Sequence, residues 1–159
     1  MNGTAYLLDT NVILNLVRSN ELGKYILATY SLETAVHRPL ISIVTVGEIW
    51  AIADRRQWGS EKRGFLQKML ETLVILDLDN EAILNGYVEM DRVSRGAAKG
   101  ARNLSDNDLW IAATAKAAGA VLLTSDKDFL HFHPDHCLVQ YIDPRSGRSA
   151  GAAPEGWGQ

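Results

Sequence analysis

A chain of 159 residues, 47% hydrophobic and 22% charged, has the size and composition of one globular domain, which excludes a fibrous or wholly disordered architecture. A net charge of −3 excludes a surface built as a general coat for nucleic acid, where a strongly basic balance is usual. The single cysteine, Cys137, excludes an internal disulfide, and no apolar run has the length a bilayer demands.

The segment Met1 to Asp9 has no basic start, and its apolar run stops at a carboxylate, so it does not read as a signal peptide and a cytoplasmic location is expected. Tyr6-Leu7-Leu8 reads as a first strand. Apolar positions 12, 13, 14, 16 and 17, resumed at Tyr25-Ile26-Leu27, predict one or two helices separated near Gly23. Pro39 breaks the chain before a second strand at Leu40-Ile41-Ser42-Ile43. Helical spacing then returns over Thr45 to Arg55 and again over Glu61 to Leu73.

Val74-Ile75-Leu76 is short and β-branched and reads as a third strand. Asn80 to Ser94 is helical in pattern, and Arg95 to Asn103 is a polar, basic loop. Ser105 to Gly119 has a capping residue at its start and a glycine past its end, the marks of a helix. Ala120 to Thr124 and Leu138 to Tyr141 read as the last two strands. Short strands alternating with helices predict an α/β domain, with helices packed on a mainly parallel sheet. It spans residues 1–143, and the Gly-, Ala- and Pro-rich residues 144–159 form a flexible tail.

Sites in such folds form beyond the carboxyl ends of the strands. Four acids fall there: Asp9 after the first strand, Glu48 in the first turn after the second, Asp108 in the first turn of the Ser105 helix, and Asp126 after the strand ending at Thr124. Two unit charges 4 Å apart repel by roughly 4 kcal/mol at an effective dielectric of 20, so a convergent set needs protons or cations. Oxygen donors without nearby Cys or His favour Mg²⁺ or Mn²⁺ over zinc. Such cations can clamp the attacking and departing oxygens of a phosphodiester.

Each acid also has an ordinary structural explanation. Thr45-x-x-Glu48 and Ser105-x-x-Asp108 match capping boxes, Asp9 can cap the next helix, and Asp126 can sit in a simple turn. Together they fit one site better than four separate caps. Asp106 competes with Asp108. At about 100° per residue Asp108 shares a face with Ile111, Ala112 and Ala115, whereas Asp106 points roughly 200° away and takes a supporting role.

Taken together, Leu7-Leu8-Asp9-Thr10-Asn11-Val12-Ile13, Thr45-Val46-Gly47-Glu48-Ile49, Asn107-Asp108-Leu109-Trp110-Ile111-Ala112-Ala113 and Leu123-Thr124-Ser125-Asp126-Lys127-Asp128-Phe129 resemble the PIN-domain ribonucleases, and among them the VapC-type toxins of toxin–antitoxin pairs. The likeness covers about residues 5 to 143, in order and spacing. It implies a three-layer α/β/α fold and a divalent-metal-dependent endoribonuclease. It places the family's acids on Asp9, Glu48, Asp108 and Asp126 as metal ligands and catalytic groups, with Asn11 and Thr124 as polar supports. The same resemblance implies an RNA substrate, a cognate antitoxin, a homodimer, and Mg²⁺ or Mn²⁺ as cofactor.

Arg92, Arg95, Lys99 and Arg102 concentrate positive charge before the Ser105 helix and are candidates to guide RNA. The alternatives are a PIN-like module that binds RNA or protein without catalysis, and a DNA nuclease of the same superfamily. A phosphatase whose nucleophilic Asp follows the first strand would want a second Asp where Asn11 stands. His131-x-His133-x-x-His136-Cys137 reads as a connection into the last strand rather than a zinc site, since structural zinc ligands usually come from two separated segments. Trp50, Trp58 and Trp110 read as packing or dimer-surface residues.

Overall fold

In a computed structural model, residues 3–96 and 104–147 are described. Five strands form one sheet: β1 (Tyr6–Leu8), β2 (Leu40–Ser42), β3 (Val74–Leu76), β4 (Val121–Thr124) and β5 (Val139–Tyr141), in the order β3-β2-β1-β4-β5. Every pairing is parallel, with Leu7 opposite both Leu40 and Leu122 and Leu8 opposite Leu123. The helices are α1 (Thr10–Arg18), α2 (Glu21–Thr29), α3 (Ile43–Arg55), α4 (Ser60–Glu71), α5 (Glu81–Arg95) and α6 (Asp106–Ala117), with a 3₁₀ segment at Lys127–Phe132. Among the described residues no helix is long and apolar enough to cross a membrane.

Side chains alternate across the strands, so the sheet feeds two cores. Leu8, Ile41 and Leu123 pack with Val12, Ile13, Ile26, Ile49 and Leu66 of α1 to α4. Leu7, Leu122 and Val139 pack with Met90, Ile111, Ala112, Phe129 and Phe132 on the opposite face. This is the expected three-layer α/β/α arrangement. Trp58 belongs to the first core, and Trp110 stacks on Tyr87 with ring centroids 4.0 Å apart.

Two boundaries differ from the sequence reading in ways that bear on packing or the site, while other element ends shift by one or two residues. The break between the first helices falls at Ser19-Asn20, where Ser19 is left-handed at φ 50° and the Asn20 side chain caps α2 by accepting from Gly23 N. Gly23 lies inside α2, and its role is close approach: a Cβ there would stand 2.3 Å from the Asn15 carbonyl oxygen. Likewise β2 ends one residue earlier than expected and α3 begins at Ile43, because Ser42 accepts from Val44 N and caps the helix itself. Glu48 therefore lies in the second turn, and no Thr45–Glu48 capping box forms. Gly119, at φ 63°, closes α6 as anticipated.

The stretch 144–147 follows β5 back to the start of α2, where Gly147 packs on the Glu21–Leu22 backbone. The rest of the expected tail, 148–159, lies outside the described residues.

Sheet order locates the crevice. The chain runs outward from β1 through β2 to β3, then returns to β4 and β5 on the other side of β1, so β1 and β4 are neighbours whose following loops diverge. Gly23→Ala should lower stability by about 1–3 kcal/mol, because backbone in the α1–α2 hairpin must shift. Thermal unfolding checks this, and an unchanged midpoint would contradict the close approach.

Candidate acid-cluster site

Asp9 follows β1 directly, and register holds it in place. Its backbone N–H donates to Leu123 O at 3.0 Å, continuing the β1–β4 ladder one step past the strand. Its carboxylate, only 3% exposed, accepts from Thr10 N at 2.8 Å and from the Thr124 hydroxyl at 2.7 Å. Asp9 is thus also the cap of α1. Burial pushes its pKa from the ordinary 3.8 to about 7; the Thr124 and Thr10 hydrogen bonds oppose the shift, and the charges of Asp108 and Glu48 add to it.

Asp108 stands at the third position of α6. There Ser105 Oγ accepts from Asp108 N, and Asp108 Oδ2 accepts from Ser105 N at 2.9 Å, a full capping box. The structural explanation and the site assignment hold at once, since one carboxylate oxygen serves the cap. Burial raises the Asp108 pKa, opposed by its bonds to Ser105 and reinforced by Glu48 and Asp126. Asp108 is half-buried over the fully buried Ile111, Ala112 and Ala115. Asp106 is exposed and meets the Tyr87 hydroxyl at 3.4 Å, so helical phase separates the two acids as expected.

Glu48 is held from two other elements. The Thr10 hydroxyl donates to Oε1 at 2.6 Å, and Asn107 Nδ2 donates to Oε2 at 3.3 Å; Thr45 Oγ1 stands 3.3 Å from Thr10 Oγ1. Neither Thr10 nor Asn107 was singled out from sequence as a partner of Glu48, and Thr45 was expected only as its capping-box partner. Thr10 and Asn107 adjoin Asp9 and Asp108 in the chain, and that adjacency was the available signal. Thr124 links the remaining acid, since its Oγ1 accepts from Asp126 N at 3.0 Å while donating to Asp9. Asp126 Oδ1 accepts from Asp128 N and starts the 3₁₀ segment. Asn11 does not bond an acid: its Oδ1 accepts from Ser125 N at 3.2 Å and ties the β1 and β4 loops together.

Asp9, Glu48 and Asp108 therefore sense one another from three separate segments, and Asp126 joins them through its charge on Asp108. Among the described residues no three acidic, His or Cys side chains close directly into a metal cage. The donor set suits a hard cation that keeps several waters, which Mg²⁺ and Mn²⁺ do. The histidines serve elsewhere: His131 approaches Val93 O, His133 Nδ1 accepts from Val139 N, and His136 faces Glu89 at 3.7 Å.

Of the basic candidates, Arg92 and Arg95 are exposed in the last turn of α5, with Arg95 paired to Asp91 at 2.9 Å, and Lys99 and Arg102 lie outside the described residues. A larger cavity of about 850 Å³ contains none of the four acids. Its Arg38 is committed to the carbonyls of Glu71, Thr72 and Leu73. Cavity size alone does not mark the chemistry here.

Fold and site together define a three-layer α/β domain with a carboxylate cluster at the switch point of a parallel sheet. The PIN domain family model matches residues 6–133, and the chain belongs to that family. A ribonuclease VapC2 of Haemophilus influenzae is 24% identical over 122 residues, covering 76% of this chain and 86% of the relative. The fold is similar to that in the structure of VapBC2 from Rickettsia felis bound to a DNA fragment from their promoter, with TM-score 0.68, 20% identity, and coverage of 88% of this chain and 100% of that one. It is also similar to FitAcB of Neisseria gonorrhoeae, with TM-score 0.63, 24% identity, and coverage of 86% and 96%.

The raised Asp9 pKa has a definite sign. The fold favours the protonated acid, so this group's contribution to stability is complete below 3.8 and is lost as pH rises through about 7. Without divalent cation, Asp9→Asn should match the wild type near pH 4 and exceed it near pH 8 by about 2–4 kcal/mol. Denaturant unfolding across that range checks this; parallel curves for the two proteins would contradict it.

Proposed function

We propose that the protein is a divalent-metal-dependent endoribonuclease and the toxin of a toxin–antitoxin pair. One observation carries the reading: Asp9 is buried and feels the charges of two other carboxylates, so its anion is disfavoured at neutral pH unless a cation compensates it. The curated relative bears the name ribonuclease, and one similar structure is described as a toxin–antitoxin complex from Klebsiella pneumoniae. These support an antitoxin partner for this chain.

Asp9, Glu48, Asp108 and Asp126 would hold Mg²⁺ or Mn²⁺. The cation supplies charge compensation for the phosphodiester and for the oxygens that enter and leave it. The remaining work belongs to the chain. Thr124 orients Asp9 and, through the Asp126 amide, the turn that carries Asp126. Thr10 and Asn107 fix both oxygens of Glu48. Ser105 pins one oxygen of Asp108 and leaves the other for ligation. Such partners commonly set ligand orientation and affinity by 10- to 100-fold.

Purified protein incubated with structured RNA should cleave it with Mg²⁺ or Mn²⁺ and stop on chelation. Asp9→Asn and Asp108→Asn should each reduce cleavage by more than about 100-fold with the fold kept, and Thr124→Val by about 10- to 100-fold. Asp106→Asn should cleave at near wild-type rate. Full activity in Asp9→Asn, or equal cleavage of DNA of the same sequence, would overturn the reading.

A further inference from the structure

The acid cluster opens into a groove along the outer face of α3. It holds about 460 Å³ and is lined by Ile43, Gly47, Glu48, Ala51, Arg55 and Asn107, among others. Glu48 and Asn107 already belong to the site, so whatever fills the groove touches the carboxylates' own supports. Ile43, Gly47, Ala51 and Arg55 recur every four residues and so share one helical face. A Cβ on Gly47 would meet nothing within 4 Å, which leaves the floor open at its middle.

Arg55 is the one cationic residue in that lining. Other arginines are committed: Arg38 to the end of α4, Arg63 to the carbonyls of Trp58 and Ala53, Arg95 to Asp91. Among the described residues the Arg55 side chain has no hydrogen bond or ion pair. Seven residues separate it from Glu48, about 10 Å along the helix axis, comparable to a rise of roughly three nucleotides at about 3.4 Å each.

We infer that Arg55 is a substrate-positioning residue that grips an RNA backbone phosphate a few nucleotides from the carboxylates, the strand lying in the groove over Gly47. This rests on the ribonuclease reading above. A polyanion approaching four acids meets repulsion along its flank as well as at the cleaved bond, and Arg55 offsets it where no cation is bound. Guanidinium geometry suits a phosphate without reading its base.

The test uses full-length Asp9→Asn protein, a fluorescein-labelled mixed-sequence single-stranded RNA of about 12 nucleotides, and a salt series. Adding Arg55→Gln should weaken binding and flatten the slope of log K against log salt by about 0.7, one phosphate contact on a single strand, while Arg55→Lys keeps the slope. Gly47→Leu removes a helix-interior glycine and so keeps the fold, yet it fills the groove and should weaken binding. In otherwise wild-type protein, Arg55→Gln should raise KM with little change in kcat.

Unchanged affinity and slope in Arg55→Gln, with wild-type protein still cleaving RNA, would overturn this inference and leave the ribonuclease reading standing. Effects of both substitutions confined to self-association, measured by sedimentation, would assign the face to a second copy of the chain and overturn it too. Wild-type protein that neither binds nor cleaves RNA would remove both.

Discussion

The site depends on one buried carboxylate. Asp9 sits where the central strand ends, removed from water and facing the charges of Glu48 and Asp108, with only a hydroxyl and a backbone amide to favour its anion. Two hydrogen bonds do not balance that burial, so the acid retains its proton until close to neutral pH. A divalent cation would reverse the balance, since it stabilises the anion that the fold alone disfavours. The group that destabilises the metal-free protein would then be the same group that the proposed function assigns to the metal.

The fold serves this constraint by assembling the acids from independent pieces. β1 and β4 are adjacent, so Asp9 and the Asp126 turn meet through Thr124, 115 residues away from Asp9 in sequence. α3 and α6 bring Glu48 and Asp108 in from the two opposite helical layers. Each acid also carries a local duty: Asp9 caps α1, Asp108 completes a capping box, and Asp126 starts the 3₁₀ segment. Those duties restrict rotamers, so little ordering remains to be done when a cation arrives.

Much of this was legible in the chain. Short strands between helical patterns indicated the parallel sheet, and the Asp108 side of α6 followed from its apolar stripe. What escaped was decided by tertiary contact. Thr45-x-x-Glu48 has the spacing of a capping box, but Ser42 at the strand end captures the helix start first, and Glu48 becomes a second-turn residue held by Thr10 and Asn107 across 38 and 59 residues. Gly23 looked like a helix breaker because glycine punctuates; its actual use, letting α2 press on Asn15, depends on a neighbour that local pattern cannot show. Asn11 was legible as a polar support but not as the tie to Ser125.

The central claim is that cation binding and Asp9 ionisation are one event. It is tested most directly by calorimetric titration of Mn²⁺ into the protein in buffers of differing ionisation enthalpy, which counts protons released on binding. With the Asp9 pKa near 7, release should approach one proton per cation at about pH 6, fall toward zero above about pH 8, and vanish at both in Asp9→Asn. Binding without proton release at about pH 6, or the same release from Asp9→Asn, would contradict it.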